Sequence, residues 1–366
     1  MINACRILGV DIAQFPDHLV IQSEGLRPPV DVIDAGNSGQ VLRFVGAVAG
    51  LLPTYTVITG DASIRERRPV KPLLEGLTQL GAMAVSMRGD DHAPIIVKGP
   101  IIGGTALIDG EDSQPVSGLL IAAAFAAGKT ELFVTNPGEK PWVGLTLSWF
   151  DRLGIAYSQE DFEKYTVAGG SKIEGFDYTV PGDWSSAAYP IAAALVTDVE
   201  VTITNIDFND AQGDQQLIIE LEKMGAKMTR REGSLTVYAG SQLKGVKIDV
   251  NNFIDGITIL AVLGCFAEGI TEIVGGRIAR NKESDRIAGI VSELRKMGAK
   301  IEEREDGLIV EGSPLRGAHV QSFNDHRMAM SLAIAGLGAE GNMNIERNGC
   351  VEKSYPAFFK DLKPFS

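Results

Sequence analysis

The chain is poor in cysteine, has no long apolar run and carries no excess of positive charge, and each shortage closes off a class of function. Only three cysteines occur among 366 residues: Cys5, Cys265 and Cys350. They form no CxxC pair and no disulfide framework, which favours a reducing cytoplasm. The four histidines and three cysteines show no metal-ligand spacing, so no metal site is expected. No apolar run reaches the roughly 18 residues of a membrane span, because Gly, Ser or a charge interrupts each one. The opening MINACRILGV lacks the basic region and apolar core of a signal peptide. A formal charge of −13 argues against nucleic acid or an anionic membrane as partner. It does not exclude small anionic substrates, since clustered Lys and Arg can hold a positive field inside a cleft of an acidic protein.

What is present is a globular composition, 45% hydrophobic, on a chain long enough for two domains. It is organised by an internal repeat. Leu-Gly or Met-Gly followed by a small apolar residue recurs at Gly9, Gly81, Gly154, Gly225 and Gly298, at intervals of 72, 73, 71 and 73 residues. Before each Gly the apolar residues fall at helical spacing, as in LIIELEKM and IVSELRKM. The Gly sits where a helix needs a left-handed C-cap. After it, alternating stretches such as AKMTRREGSLTVYAG predict two strands and a turn.

A second element keeps the same register. A polar residue opens a run of small apolar residues at Asn37, Asp112, Asp183, Asp255 and Asp325, at intervals of 75, 71, 72 and 70. Helices that are apolar all round must be buried, so each unit is one buried helix, one amphipathic helix and strands that cover them. The openers are residues that cap orphan N–H groups. If the units are arranged symmetrically, these N-termini converge, and their partial positive charge suits phosphate and carboxylate.

Several segments carry more specific chemistry. RNKESDR at 280–286 sets Lys282 four residues and Glu283 three residues before Arg286, spacings that would make them helical neighbours. NDHRMAM lies at 324–330, GNSGQVLRF at 36–44, GDASIRERRPVKPL at 60–73, DSQPVSG at 112–118, FIDG at 253–256 and CVEKSYP at 350–356. Singly, each reads as a helix cap, a tight turn or a solvated loop.

With the repeats, these segments resemble the 5-enolpyruvylshikimate-3-phosphate synthases, from residue 1 to about residue 364. The resemblance implies an α/β chain of the two-domain enolpyruvyl transferase fold, an inside-out α/β barrel of repeated βαβαββ units, with the first unit truncated. It implies a first, shikimate-binding domain over residues 1–181 and a second over 182–366, closing over a cleft. The implied reaction moves the enolpyruvyl group of phosphoenolpyruvate to the 5-hydroxyl of shikimate 3-phosphate, without a cofactor. Asp255 is the implied base toward that hydroxyl and Glu283 the implied proton donor to the methylene carbon. Arg68, Arg286 and Arg327 would hold phosphoenolpyruvate, with Lys282 and Lys353 as point charges, since Arg suits bidentate recognition of phosphate and carboxylate. Ser113 and Gln114 would orient the shikimate moiety, and Asn37, Gly39, Asp112, Asp255 and His326 complete the implied substrate-binding set. A monomer in the cytoplasm is implied.

The chain also departs from the family pattern. A Ser-Lys-Ser segment and following Arg of the family's first repeat are not in this sequence. Asp112 replaces a common Ser, Glu139 stands where many members have Ser, and Gln40 and Phe44 replace the more usual Thr and Pro. Without that first repeat the chain alone is expected to be a poor enzyme and prone to association. Two rivals follow: the enolpyruvyl transferase of cell-wall synthesis, which acts on UDP-N-acetylglucosamine and typically uses a loop Cys, and an inactive substrate-binding fragment or partner subunit.

Overall fold

Each of the five marker glycines ends a helix. In the computed structural model, which describes residues 1–365, they take φ values of 88° (Gly9), 100° (Gly81), 66° (Gly154), 101° (Gly225) and 90° (Gly298). This left-handed region is open to glycine at no steric cost, and reversing the chain there exposes the last helical carbonyls to new donors. At Gly225 the motif is explicit: Gly225 N–H donates to the Glu222 carbonyl and Ala226 N–H to that of Leu221, at 3.0 and 2.9 Å.

The chain divides into two units, Met1–Phe176 and Asp177–Ser366, each with its own apolar core. The first opens with α1 (Ile2–Ile7) and an antiparallel hairpin of β1 (Asp11–Gln14) and β2 (Leu19–Gln22). A full repeat follows: β3 (Ile33–Asp34), a π-helical turn over Val41–Val45 running into α2 (Gly46–Ala49), β4 (Thr56–Thr59), α3 (Ala62–Glu66), α4 (Lys71–Gln79), β5 (Met83–Ser86) and β6 (Ile95–Lys98). The next comprises β7 (Gly104–Asp109), α5 (Ser113–Phe125), β8 (Thr130–Thr135), α6 (Lys140–Leu153), β9 (Tyr157–Glu160) and β10 (Lys164–Val167). Their sheets share one order, β3-β4-β6-β5 and β7-β8-β10-β9. In each, the first pair is parallel because a buried helical crossover joins it, and the others are antiparallel.

The second unit repeats this logic. It runs α7 (Trp184–Thr197), β11 (Val201–Thr204), α8 (Gln216–Met224), β12 (Met228–Arg231) and β13 (Ser234–Val237), then β14 (Lys247–Asp249), α9 (Ile257–Cys265), β15 (Ile270–Val274), α10 (Arg286–Lys296), β16 (Lys300–Arg304) and β17 (Gly307–Glu311). It ends with β18 (His319–Gln321), α11 (His326–Leu337), β19 (Asn344–Glu346) and α12 (Phe358–Leu362). The sheet orders are β11-β13-β12, β14-β15-β17-β16 and the parallel pair β18-β19. Every residue of α9 is buried, as its unbroken apolar sequence requires. In α10 the buried Ile287, Ile290, Val291 and Leu294 form one stripe at helical spacing, which lays that helix over the core.

Two expectations change. Asn37 does not open the first buried helix: it lies in the preceding turn, and the Ser38 hydroxyl oxygen accepts from Val41 N–H at 3.2 Å. Asp255 is not a cap either, because it sits inside a 3-10 turn, Ile254–Gly256, that leads into α9. The two units divide at 176/177, within residues 168–183, which carry no strand or helix. Among the described residues no helix is long and apolar enough to cross a membrane.

Candidate functional site

In the second unit, the first turns of the buried helices hold the polar residues that the apolar core cannot accept. Asp183 caps α7, accepting from Ser185 N–H at 3.2 Å and Ser186 N–H at 3.1 Å. Asp325 caps α11 through Arg327 N–H at 2.9 Å. Asp255, freed from capping, turns its carboxylate toward two guanidinium groups, Arg286 Nη1 at 2.6 Å and Arg327 Nη2 at 3.0 Å.

Arg286 is 1% exposed and meets three carboxylates in three directions: Asp255, Glu283 through Nη2 at 2.9 Å, and Asp325 through Nε at 2.8 Å. The guanidinium spreads its donors over three nitrogens in one plane, so each carboxylate is met by a different nitrogen of one side chain. Arg327 spans the ends of three helices. It donates to the Ser185 carbonyl at 3.0 Å, to the Ser185 hydroxyl at 2.6 Å and to Asp255. Glu283 is also ion-paired with Lys353, at the end of the 3-10 turn Asn348–Lys353.

Lys282 and Glu283 do not share a helix with Arg286. Asp285 caps α10 by accepting from Ala288 N–H at 3.0 Å, so the helix begins at Arg286, and Lys282 and Glu283 lie in the segment that approaches the cap. Glu283 still reaches Arg286 from that loop, and the Lys282 charge acts on Asp255.

The electrostatics follow from burial and pairing. Burial alone would raise the Asp255 pKa, but the charges of Arg327, Arg286 and Lys282 outweigh it and hold the carboxyl well below its usual range. Burial likewise opposes the charge on Arg286, and the carboxylates of Asp325, Glu283 and Asp255 more than restore it. His326 goes the other way: burial, with the adjacent Arg327 charge, depresses its pKa to about 3. It is therefore a neutral imidazole at physiological pH, able to hydrogen-bond an anion but not to neutralise one.

The first unit holds a second cluster. A Cβ on Gly39 would lie 2.6 Å from Arg68 Nη1, 2.8 Å from Arg43 Nη1 and 2.9 Å from Gln114 Oε1, so only glycine leaves room for these three polar ends. Arg43 Nη1 donates to Gln114 Oε1 at 3.2 Å and Nη2 to the Pro69 carbonyl at 3.0 Å, and Nη2 pairs with Asp112 at 2.9 Å. Asp112 caps α5 through Gln114 N–H at 3.0 Å. Ser113 donates from its amide (3.3 Å) and hydroxyl (3.1 Å) to the buried carboxylate of Glu139. Asn37 lies in the turn before the π-helical segment Val41–Val45. The π-helical turn falls at Arg43 itself, a coincidence common at functional positions.

Residues 1–362 match the family described as EPSP synthase (3-phosphoshikimate 1-carboxyvinyltransferase). The chain belongs to the EPSP synthase family. It is similar to the 3-phosphoshikimate 1-carboxyvinyltransferase of Acetivibrio thermocellus, 41% identical over 363 residues that make up 99% of this chain and 85% of that protein. The protein of the same name from Chlamydia caviae is 42% identical over 366 residues, 99% of this chain and 82% of its own length. Among solved structures, an EPSP synthase from Acinetobacter baumannii matches with a TM-score of 0.81 at 29% identity, over 100% of this chain and 86% of that one.

The implied substrate-binding set does not include Arg43, Ser185, Asp325 or Glu139, which the structure adds to the two clusters; the sequence marks Asp325 only as a helix opener and Glu139 only as a departure from the family pattern. Arg43 had a signal: it is the one charge in the apolar run VLRFVGAVAG, and a buried charge needs partners. Asp325 reads as an ordinary cap residue, because nothing local tells which cap will face a guanidinium, and Ser185 carries no signal beyond following the Asp183 cap.

Proposed function

We propose that this chain transfers the enolpyruvyl group from phosphoenolpyruvate to the 5-hydroxyl of shikimate 3-phosphate, with release of phosphate. Family membership over residues 1–362 supports the reaction class. The observation that carries the reading is Asp255 clamped between Arg286 and Arg327, themselves inside a set of buried carboxylates and cations. In the second unit, Arg286, Arg327, Lys282 and Lys353 would hold the phosphate and carboxylate of phosphoenolpyruvate, and neutral His326 would donate a hydrogen bond. In the first, Arg68 would contribute to phosphoenolpyruvate binding, and Gly39, Asp112, Ser113 and Gln114 would recognise the phosphorylated shikimate, with Asn37 in a nearby turn.

The chemistry needs two carboxylates. In the addition step a proton is delivered to the phosphoenolpyruvate methylene, which becomes a methyl group, while the 5-oxygen bonds to the neighbouring carbon and gives up its own proton. In the elimination step a methyl proton is removed, the double bond reforms and phosphate leaves with its bonding electrons. Glu283 is the proton donor in this scheme and Asp255 the acceptor. While both arginines hold Asp255, its carboxylate is a weak base. An incoming anion that draws Arg286 and Arg327 to itself loosens the clamp and raises the basicity of Asp255 where the hydroxyl arrives. Excluding water around these pairs would strengthen each of them.

The test is phosphate release from phosphoenolpyruvate with shikimate 3-phosphate or UDP-N-acetylglucosamine as acceptor. Turnover only with the shikimate compound supports the proposal. Preference for the nucleotide sugar would replace it with the cell-wall reaction.

A further inference from the structure

Glu139 takes no part in the chemistry above, yet it is only 2% exposed and lies against a proposed substrate-binding residue. Its backbone is held at φ 45°, in the left-handed region that a side chain with Cβ rarely adopts. The loop that carries it is pinned beside the start of α5. Gly138 N–H donates to the Gly110 carbonyl at 2.9 Å, and a Cβ on Gly138 would come within 2.5 Å of the Glu111 carbonyl oxygen. Glu139 is thus presented to Ser113 by close backbone packing and not by a free side-chain excursion. One oxygen of its carboxylate then accepts from both the amide and the hydroxyl of Ser113.

We propose that Glu139 is a specificity-determining residue: an internal carboxylate that competes with the anionic group of the substrate for Ser113. The proposal rests on the reading that Ser113 contacts shikimate 3-phosphate. Any phosphate or carboxylate arriving at Ser113 must displace hydrogen bonds to a charged acceptor and then stand beside a like charge. A ligand hydroxyl meets no such barrier, because it can donate to Glu139. The residue therefore weakens binding of charged groups at this point relative to groups that donate a hydrogen bond.

The experiment compares the unaltered protein with Glu139→Gln and Glu139→Ser, by calorimetry with shikimate 3-phosphate and with inorganic phosphate, and by steady-state kinetics. Both variants should bind shikimate 3-phosphate about tenfold or more tightly, the weight of displacing one charge-assisted hydrogen bond. KM should fall by a larger factor than kcat changes, and inorganic phosphate should bind the variants more tightly than the unaltered chain. A merely structural role would not produce that gain. Unchanged or weaker binding of both ligands in a folded variant overturns the proposal. So does loss of folding in both variants, which would make Glu139 part of the scaffold. If the variants gain phosphate binding while no form binds shikimate 3-phosphate, the substrate reading fails and the competition stands. If all forms bind shikimate 3-phosphate equally, the substrate reading stands and the competition fails.

Discussion

Replacing Gly39 by alanine separates binding from stability. The new methyl carbon would sit 2.6 Å from Arg68 Nη1, 2.8 Å from Arg43 Nη1 and 2.9 Å from Gln114 Oε1. Ordinary contact needs about 3.4 Å or more, so all three groups must retreat by roughly half an ångström or slightly more. They are the ends of flexible side chains, so they move without distorting the backbone. The move stretches or breaks the Arg43–Gln114 hydrogen bond of 3.2 Å, a net loss of about 1 kcal/mol. Alanine in place of glycine at a helix start returns a similar amount, up to about 1 kcal/mol. The melting temperature of Gly39→Ala should therefore stay within a few degrees of the unaltered chain. Binding should not be spared, because displacement of positioned groups by less than 1 Å can cost up to about a hundredfold. The expected result is a KM for shikimate 3-phosphate raised about tenfold or more, measured by phosphate release, with a near-constant unfolding midpoint. An unchanged KM would remove the Gly39–Arg43–Arg68–Gln114 cluster from the binding site. A collapse in stability would show that those side chains are fixed and cannot yield.

Other substitutions test the second unit. Asp255→Asn should cut kcat by about a hundredfold or more, while urea unfolding shows a folded protein, because Arg286 keeps Glu283 and Asp325; unchanged turnover would exclude Asp255 from proton transfer. Arg286→Lys should cost roughly 3–5 kcal/mol in urea unfolding, since the single nitrogen of lysine cannot occupy the places of Nε, Nη1 and Nη2 at once and the fully buried Asp325 is left underpaired; a loss below about 1 kcal/mol would refute the fork argument. His326 has a folded pKa of about 3 against 6.5 for the free group, so the unfolded chain takes up the proton first. Stability should then fall as pH drops from about 6.5 toward 4.5, by up to about 1.4 kcal/mol per unit, and His326→Gln should flatten that slope. Leu260→Ala, in the wholly buried α9, should cost about 2–5 kcal/mol by calorimetric or denaturant unfolding.

The repeat was legible because its signals are local. A glycine between an amphipathic run and an alternating run predicts a left-handed helix end and a hairpin from φ preferences and periodicity alone, and the hairpins after Gly81, Gly154, Gly225 and Gly298 follow from that. Runs such as ITILAVLGC could only be interior helices, since no face of them tolerates water. The motifs around Arg286 and Arg327 could be recognised by resemblance. What the carboxylates do there was not written in any one segment. Asp112, Asp255 and Asp325 look alike as helix openers, yet Asp325 both caps α11 and binds Arg286, Asp112 caps α5 and pairs with Arg43, and Asp255 caps nothing. Helical spacing also misplaced Lys282 beside Arg286, because the cap at Asp285 stops the helix short of it. The partners of Arg286 come from positions 255, 283 and 325, and those of Arg43 from 69, 112 and 114. Periodicity reports which face of an element is buried, but the choice of partner for a buried charge is made by whichever elements the fold brings against it, and only the tertiary structure decides that.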